Sequence, residues 1–155
     1  MHLKGAIIAV CTSEQKGMRK TNVGQAQAKI NWGLVGDAHA GNWHRQISLL
    51  AMESIQKMQA AGLNVGPGDF AENLTVQGMG QMNDYPVGTH FRIGESELEL
   101  TQIGKLCHAK CAIYELAGDC VMPREGVFVK VLKEGTIKLG DEVLLRHSQP
   151  ASAWV

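Results

Sequence analysis

Short β-rich runs separated by turn residues recur along most of this chain, and that pattern limits the possible folds more than any single motif does. Near the N-terminus "AIIAVCT" is a continuous apolar run suited to a strand buried on both faces. "LTVQG" follows the turn-rich "VGPGDFAEN" as a second clear strand. In "VGTHFRIGESELELTQIG", Phe91 and Ile93 precede a "GES" turn, after which Leu98, Leu100 and Gln102 alternate with Glu97, Glu99 and Thr101, the pattern of a hairpin. "GVFVKVL" and "DEVLLR" are two more strands, joined through "KEGTIKLG", and Ala26, Ala28 and Ile30 alternate with Gln27 and Lys29 in "QAQAKI". A short strand is expected through Ile47 to Leu49. Helical spacing of Leu50, Ile55, Met58 and Ala61, with Gly62 as a stop, predicts a helix from about Ala51 to Ala61. The expected fold is α+β and mainly β, a twisted sheet closing into a β-barrel with a few short helices. No repeat or linker divides the chain, so residues 1–155 read as one domain.

A chain of 155 residues with 45% hydrophobic and 19% charged residues can bury a core without covalent staples. Fifteen basic residues balance fifteen acidic ones, which removes the cationic surplus that nucleic-acid binding uses. The apolar run in "MHLKGAIIAVCTS" is too short to span a bilayer and has no cleavage site after a basic lead, so no membrane role is expected and the location read from the sequence is cytoplasmic. In that reducing compartment the four cysteines are thiols or metal ligands rather than disulfides.

Three of those cysteines crowd into "KLCHAKCAIYELAGDC". Cys107 and Cys111 are four apart, so on a helix from about Cys107 to Leu116, ending at Gly118, they share a face, with Cys120 returning beyond. The spacing is compatible with a metal clamp, although no second knuckle exists elsewhere in the chain and His108 points a quarter turn away. Burial as small apolar side chains is the plainer role for Cys111 and for Cys11 in its strand. Cys107 differs. It stands at a strand-to-helix junction between Lys105 and His108, where the helix dipole and neighbouring cations favour a thiolate.

Two loops and one turn add polar groups. "GDAHAGNWHR" offers Gly36, Asp37, His39, Gly41, His44 and Arg45, a set able to cradle an anion or to form an ordinary turn capped by Asp37. "PGDFAENL" holds Asp69, Glu72 and Asn73, the last able to fix a ligand or to satisfy loop backbone. Arg124, in "GDCVMPREGVFVKV", is a phosphate ligand or an ion-pair partner.

Taken in order, "GLVGDAHAG", "RQISLLAMESI", "GPGDFAENLTVQG", "VGTHFRIGESELELTQIGKLC" and "GVFVKVLKEGTIKLGDEV" resemble the MOSC domain, named for the C-terminal region of molybdenum-cofactor sulfurases, over about residues 6–145. The resemblance implies a barrel-like fold and a role with the molybdenum cofactor (molybdopterin) or with sulfur. It also implies a signature cysteine that carries sulfur or ligates molybdenum, here Cys107, with Cys120 as its rival. Ahead of Cys107 the chain has Gly104, Lys105 and Leu106 where many relatives show an Arg or Pro. By the same resemblance Gly36, Asp37, His39, Gly41, His44, Arg45, Asn73 and Arg124 are the expected cofactor-binding residues, and His39, His44 and His108 the expected proton donors. The chain has no pyridoxal phosphate lysine module, so sulfur or electrons are expected from a separate donor protein, as in a compact bacterial-style accessory of cofactor sulfuration or biosynthesis. Two alternatives remain at this stage: a molybdenum-dependent reductase of N-hydroxylated compounds, and a zinc-stabilised interaction module built on Cys107, Cys111 and Cys120.

Overall fold

Seven strands of the chain close on themselves into a barrel. The structure is a computed structural model that describes residues 4–104 and 122–148. Its strands are β1 Lys4–Thr12, β2 Thr21–Asn22, β3 Gln25–Lys29, β4 Gly33–Leu34, β5 Ile47–Ala51, β6 Leu74–Gln77, β7 Thr89–Ile93, β8 Ser96–Ile103, β9 Val127–Lys133, β10 Gly135–Lys138 and β11 Glu142–Ser148. The helix α1 spans Met52–Ala60, with a 3-10 turn at Met82–Asp84 and one helical turn at Met122–Glu125. Around the barrel the order is β1, β11, β7, β8, β9, β5, β6 and back to β1, while β10, β3 and β4 form a small second sheet.

One barrel contact is parallel, that of β5 with β6. A parallel pair needs a crossover, and α1 with the turn after it supplies that connection. The burial of β5 follows. Ile47, Leu49 and Ala51 join the barrel interior with Ile7, Val10, Leu74, Phe91, Leu98, Leu100, Val129 and Val143. Leu50, on the opposite face, packs with Ile55 of α1, Val65, Phe70 and Phe128 in a second cluster. With α1 on one side and the barrel core on the other, every residue of β5 is buried.

The expected strands, the hairpin and the α1 helix are present where the sequence places them, within a residue or two at their ends. Two expectations change. "KEGTIKLG" is more than a joint, because it contains β10, which pairs with β3 from Gly135 opposite Ala28 to Lys138 opposite Gln25. That pairing also settles β3 as a strand although Ala and Gln favour helix, since ladder hydrogen bonds outweigh a weak propensity. The second change is a β-bulge in β8: Leu100 stands opposite Val129 and Gln102 opposite Phe128, which leaves Thr101 as the extra residue. The inward alternation of Leu98 and Leu100 therefore does not continue to Gln102. The expected helix from Cys107 to Leu116 lies outside the described residues.

Candidate functional site

The loop Gly36–Arg45 precedes β5, and a buried ion pair holds its first turn. Lys20 Nζ lies 2.7 Å from Asp37 Oδ1, and both side chains are almost completely enclosed. Asp37 Oδ1 also accepts from Ser13 N at 3.1 Å, and Oδ2 from His39 N at 3.0 Å. Lys20 donates a further bond to Ser13 Oγ at 2.9 Å. An enclosed carboxylate is tolerable only with such a full set of donors. Asp37 is thus engaged by the fold itself, tying the loop to the stretch around Ser13.

Beyond this anchor the loop builds an aromatic and cationic face. The His39 and Trp43 rings lie 5.3 Å apart, and His39 stacks on Phe128 at 6.2 Å and 17°. Trp43 Nε1 donates to His39 O at 3.0 Å, which closes the turn. The Arg45 guanidinium lies 4.5 Å from the Trp43 ring centre and 5.5 Å from that of Phe128, and Lys16 Nζ lies 5.2 Å from the Trp43 ring. Cation–π contact holds both cations without neutralising them. Neither has a carboxylate partner among the described residues.

The bulge of β8 meets this loop. Thr101 Oγ1 donates to His44 O and lies 3.1 Å from Phe128 O. Gln102 Oε1 is 2.7 Å from His44 Nε2, and Gln102 Nε2 donates to Gly104 O at 2.8 Å. Gly104 N in turn donates to Gly126 O at 2.7 Å, so the chain on either side of residues 105–121 is pinned together here. The helical turn before Gly126 is held from α1: Glu125 accepts from Ser54 Oγ at 2.6 Å and Lys57 Nζ at 2.8 Å. Burial pushes the Glu125 carboxyl up, but the hydrogen bonds from Lys57 and Ser54 outweigh it and hold the group below its ordinary value. Arg124 is exposed on the same turn.

The "PGDFAENL" residues are spent on structure. Asn73 is fully buried; its Oδ1 lies 3.0 Å from Ser48 N and its Nδ2 donates to Cys11 O at 2.9 Å. Glu72 is equally enclosed and accepts from Gly68 N, Thr75 Oγ1 and Phe70 N at 3.0, 3.0 and 3.3 Å. Burial pushes its carboxyl up to about 7 despite those donors. Cys11 beside it is buried, and desolvation with the nearby Glu72 pushes its thiol up to about 12, an inert sulfur.

Of the residues expected from the sequence, Gly36, His39, Gly41, His44 and Arg45 come together in one loop that packs on Thr101, Gln102 and Phe128. Arg124 lies at the adjoining neck, two residues before Gly126, whereas Asp37 and Asn73 face inward. Cys107, Cys111, Cys120 and His108 lie outside the described residues. Among the described residues no group of three His, Cys, Asp or Glu side chains is placed to hold a metal ion. Sequence reasoning missed Lys16, Trp43, Thr101, Gln102 and Phe128. Trp43 had a signal, an aromatic between a glycine loop and a His-Arg pair; Lys16 had none.

Comparison with known proteins agrees with this architecture. A model of the MOSC domain family matches residues 36–144. Among solved structures, the YuaD protein of Bacillus subtilis superposes with a TM-score of 0.78 at 16% identity, covering 97% of this chain and 99% of that one. YiiM of Geobacillus stearothermophilus gives 0.68 at 18% identity, over 92% of this chain and 75% of that one. YiiM of Escherichia coli gives 0.65 at 18% identity, over 93% and 70%. At such identities the likeness is one of fold. No curated protein matches the chain by sequence.

Proposed function

This chain belongs to the MOSC domain family, and from that membership we propose that it binds the molybdenum cofactor or carries sulfur on a reactive cysteine, as an accessory in cofactor sulfuration or biosynthesis. The observation that carries the reading is the joining of two features at one place. The Gly36–Arg45 loop is bonded through Thr101 and Gln102 to the neck formed by Gly104 and Gly126. Cys107 follows Gly104 by three residues, so covalent reach alone keeps its Cα within about 11 Å of that glycine. Of the three clustered cysteines, Cys107 is the one nearest in sequence to that neck.

The donor set at this face fits an anionic group. Lys16 and Arg45 are cations without carboxylate partners among the described residues; both lie over the Trp43 ring, which also meets the His44 ring, and Arg124 stands on the turn before Gly126. These side chains would hold the pterin phosphate, with His39 stacked behind as part of the wall. Asp37 and Asn73, engaged in the interior, act by fixing the loops rather than by touching the group. The bound cofactor supplies the molybdenum chemistry, and the thiolate of Cys107 is the soft ligand suited to it. As a sulfur carrier, Cys107 takes the outer sulfur from a persulfide on a separate donor protein: one S–S bond breaks on the donor, one forms on Cys107, and the donor leaves as thiolate.

The test is expression in cells that make the cofactor, followed by measurement of molybdenum, pterin and the masses of the cysteines. Bound molybdenum and pterin, or a one-sulfur mass gain on Cys107, is the expected result, lost in Cys107→Ser and kept in Cys120→Ser. The reverse pattern moves the role to Cys120. Absence of both signals after oxic and anoxic purification of folded protein overturns the reading, and one zinc per chain with unfolding on chelation replaces it with a metal-stabilised module.

A further inference from the structure

We propose that Gln102 is a positioning residue that fixes His44 with its proton on Nε2, leaving Nδ1 as the nitrogen that accepts and returns a proton at this face. The argument starts at Gly104. Its carbonyl oxygen can only accept, so the edge of the Gln102 amide that meets it at 2.8 Å is the NH2 group. The opposite edge, the amide oxygen, therefore faces the His44 ring at 2.7 Å from Nε2. An oxygen without a hydrogen requires a donor, so Nε2 carries the proton in both the neutral and the charged ring. Proton exchange is then confined to Nδ1, which has no hydrogen-bond partner among the described residues, on a ring open to solvent.

The surroundings hold this arrangement from several sides. Thr101 Oγ1 grips the His44 main-chain oxygen, so backbone and ring are both bound to the bulged end of β8. The Trp43 ring meets the imidazole edge-on at 6.3 Å and 67°. The bulge is what makes the double grip possible, because without the extra residue Thr101 and Gln102 would point to opposite faces of β8. A hydrogen-bonded partner that sets the tautomer and aim of a histidine is the usual requirement for directed proton transfer. In the neutral ring Nδ1 takes a proton from a bound group, giving an imidazolium whose Nε2–H stays on Gln102, and gives it back afterwards. That use of the ring rests on reading this face as the cofactor-associated site; the tautomer does not.

The experiment is nitrogen-15 NMR of histidine-labelled protein, without cofactor, at a pH where the ring is neutral. Six histidines share the spectrum, and His44→Gln identifies the signal. The expected result is a single Nε2–H form with a slowly exchanging proton. Gln102→Leu should raise the share of Nδ1–H and speed exchange of the Nε2 proton by about two- to tenfold, the factor contributed by one hydrogen bond of ordinary net strength. Gln102→Glu, which keeps an acceptor toward Nε2, should restore the single form. An Nδ1–H form in the unaltered protein, a mixture like that of free histidine, or no change in Gln102→Leu overturns the proposal. Because the measurement needs no cofactor, a fixed tautomer in protein that shows neither bound cofactor nor added sulfur on a cysteine overturns only the proposed function.

Discussion

Two enclosed carboxylates, Glu72 and Asp37, are held by different partners. Among the described residues no cation is bonded to Glu72, and burial pushes its carboxyl up from 4.5 to about 7. The folded state therefore keeps a proton between those values while the unfolded chain has released it, so the contribution of Glu72 to stability is fully present below pH 4.5 and is lost as pH rises towards 7. The loss over that window is about 3 kcal/mol. Glu72→Gln imitates the protonated form, and denaturant unfolding at several pH values should show its stability curve lacking that decline and crossing above the parent as pH rises to neutral. Parallel curves would mean that Glu72 titrates alike in the folded and unfolded chain. Asp37, by contrast, is paired with a buried ammonium. Asp37→Asn strands that ammonium and should cost about 3–5 kcal/mol, with part of the loss regained in Lys20→Met/Asp37→Asn. The double-variant cycle by denaturant unfolding measures the coupling; additive losses would show no coupling between the two groups. Neither group's burial was legible in the sequence, where Asp37 and Glu72 read as loop acids.

At the level of elements, periodicity located the strands because each keeps one face in the core, as Phe91, Ile93, Leu98 and Leu100 do. It missed the bulge at Thr101, since a one-residue insertion is defined by the partner strand and not by the residues themselves. It missed β10 because three or four residues of alternation are no stronger than chance. The partners that complete the site, Lys16 and Phe128, come from segments far from residue 40 in the chain, which local spacing cannot report. Turns show the same dependence on distant neighbours. Gly36 and Gly68 both have positive φ, 92° and 89°, yet a Cβ on Gly36 meets nothing, whereas one on Gly68 lands 2.2 Å from Lys20 O. Gly36→Ala should cost about 1–2 kcal/mol, the strain of the left-handed conformation alone. Gly68→Ala should cost about 3 kcal/mol or more, because the loop that delivers Lys20 to Asp37 must also shift. Thermal melting of the two variants decides the order, and equal losses would show that the Lys20 loop yields freely.

The whole molecule depends on the seam between its first and last strands. β1 pairs with β11 from Lys4 opposite Leu144 to Ala6 opposite Glu142, a contact between residues almost the full chain apart. Closing that seam removes the open edges of β1 and β11, and taking β11 away would bare β1 and β7 instead. It also completes the core with Val143, which is fully buried, and Leu145, packed against the cluster. An open barrel would expose two rows of unpaired backbone groups on a protein whose formal net charge at pH 7 is zero, so little repulsion would keep copies apart. Ending the chain at Lys138 removes β11 and tests this. The truncated protein should lose its cooperative thermal transition and elute from a sizing column as associated species, while β3 and β10 retain the residues of their own pairing. A monomeric truncated protein with a sharp transition would show instead that the sheet is stable open, and that the seam serves only to set the barrel's shape around the loop and neck that form the site.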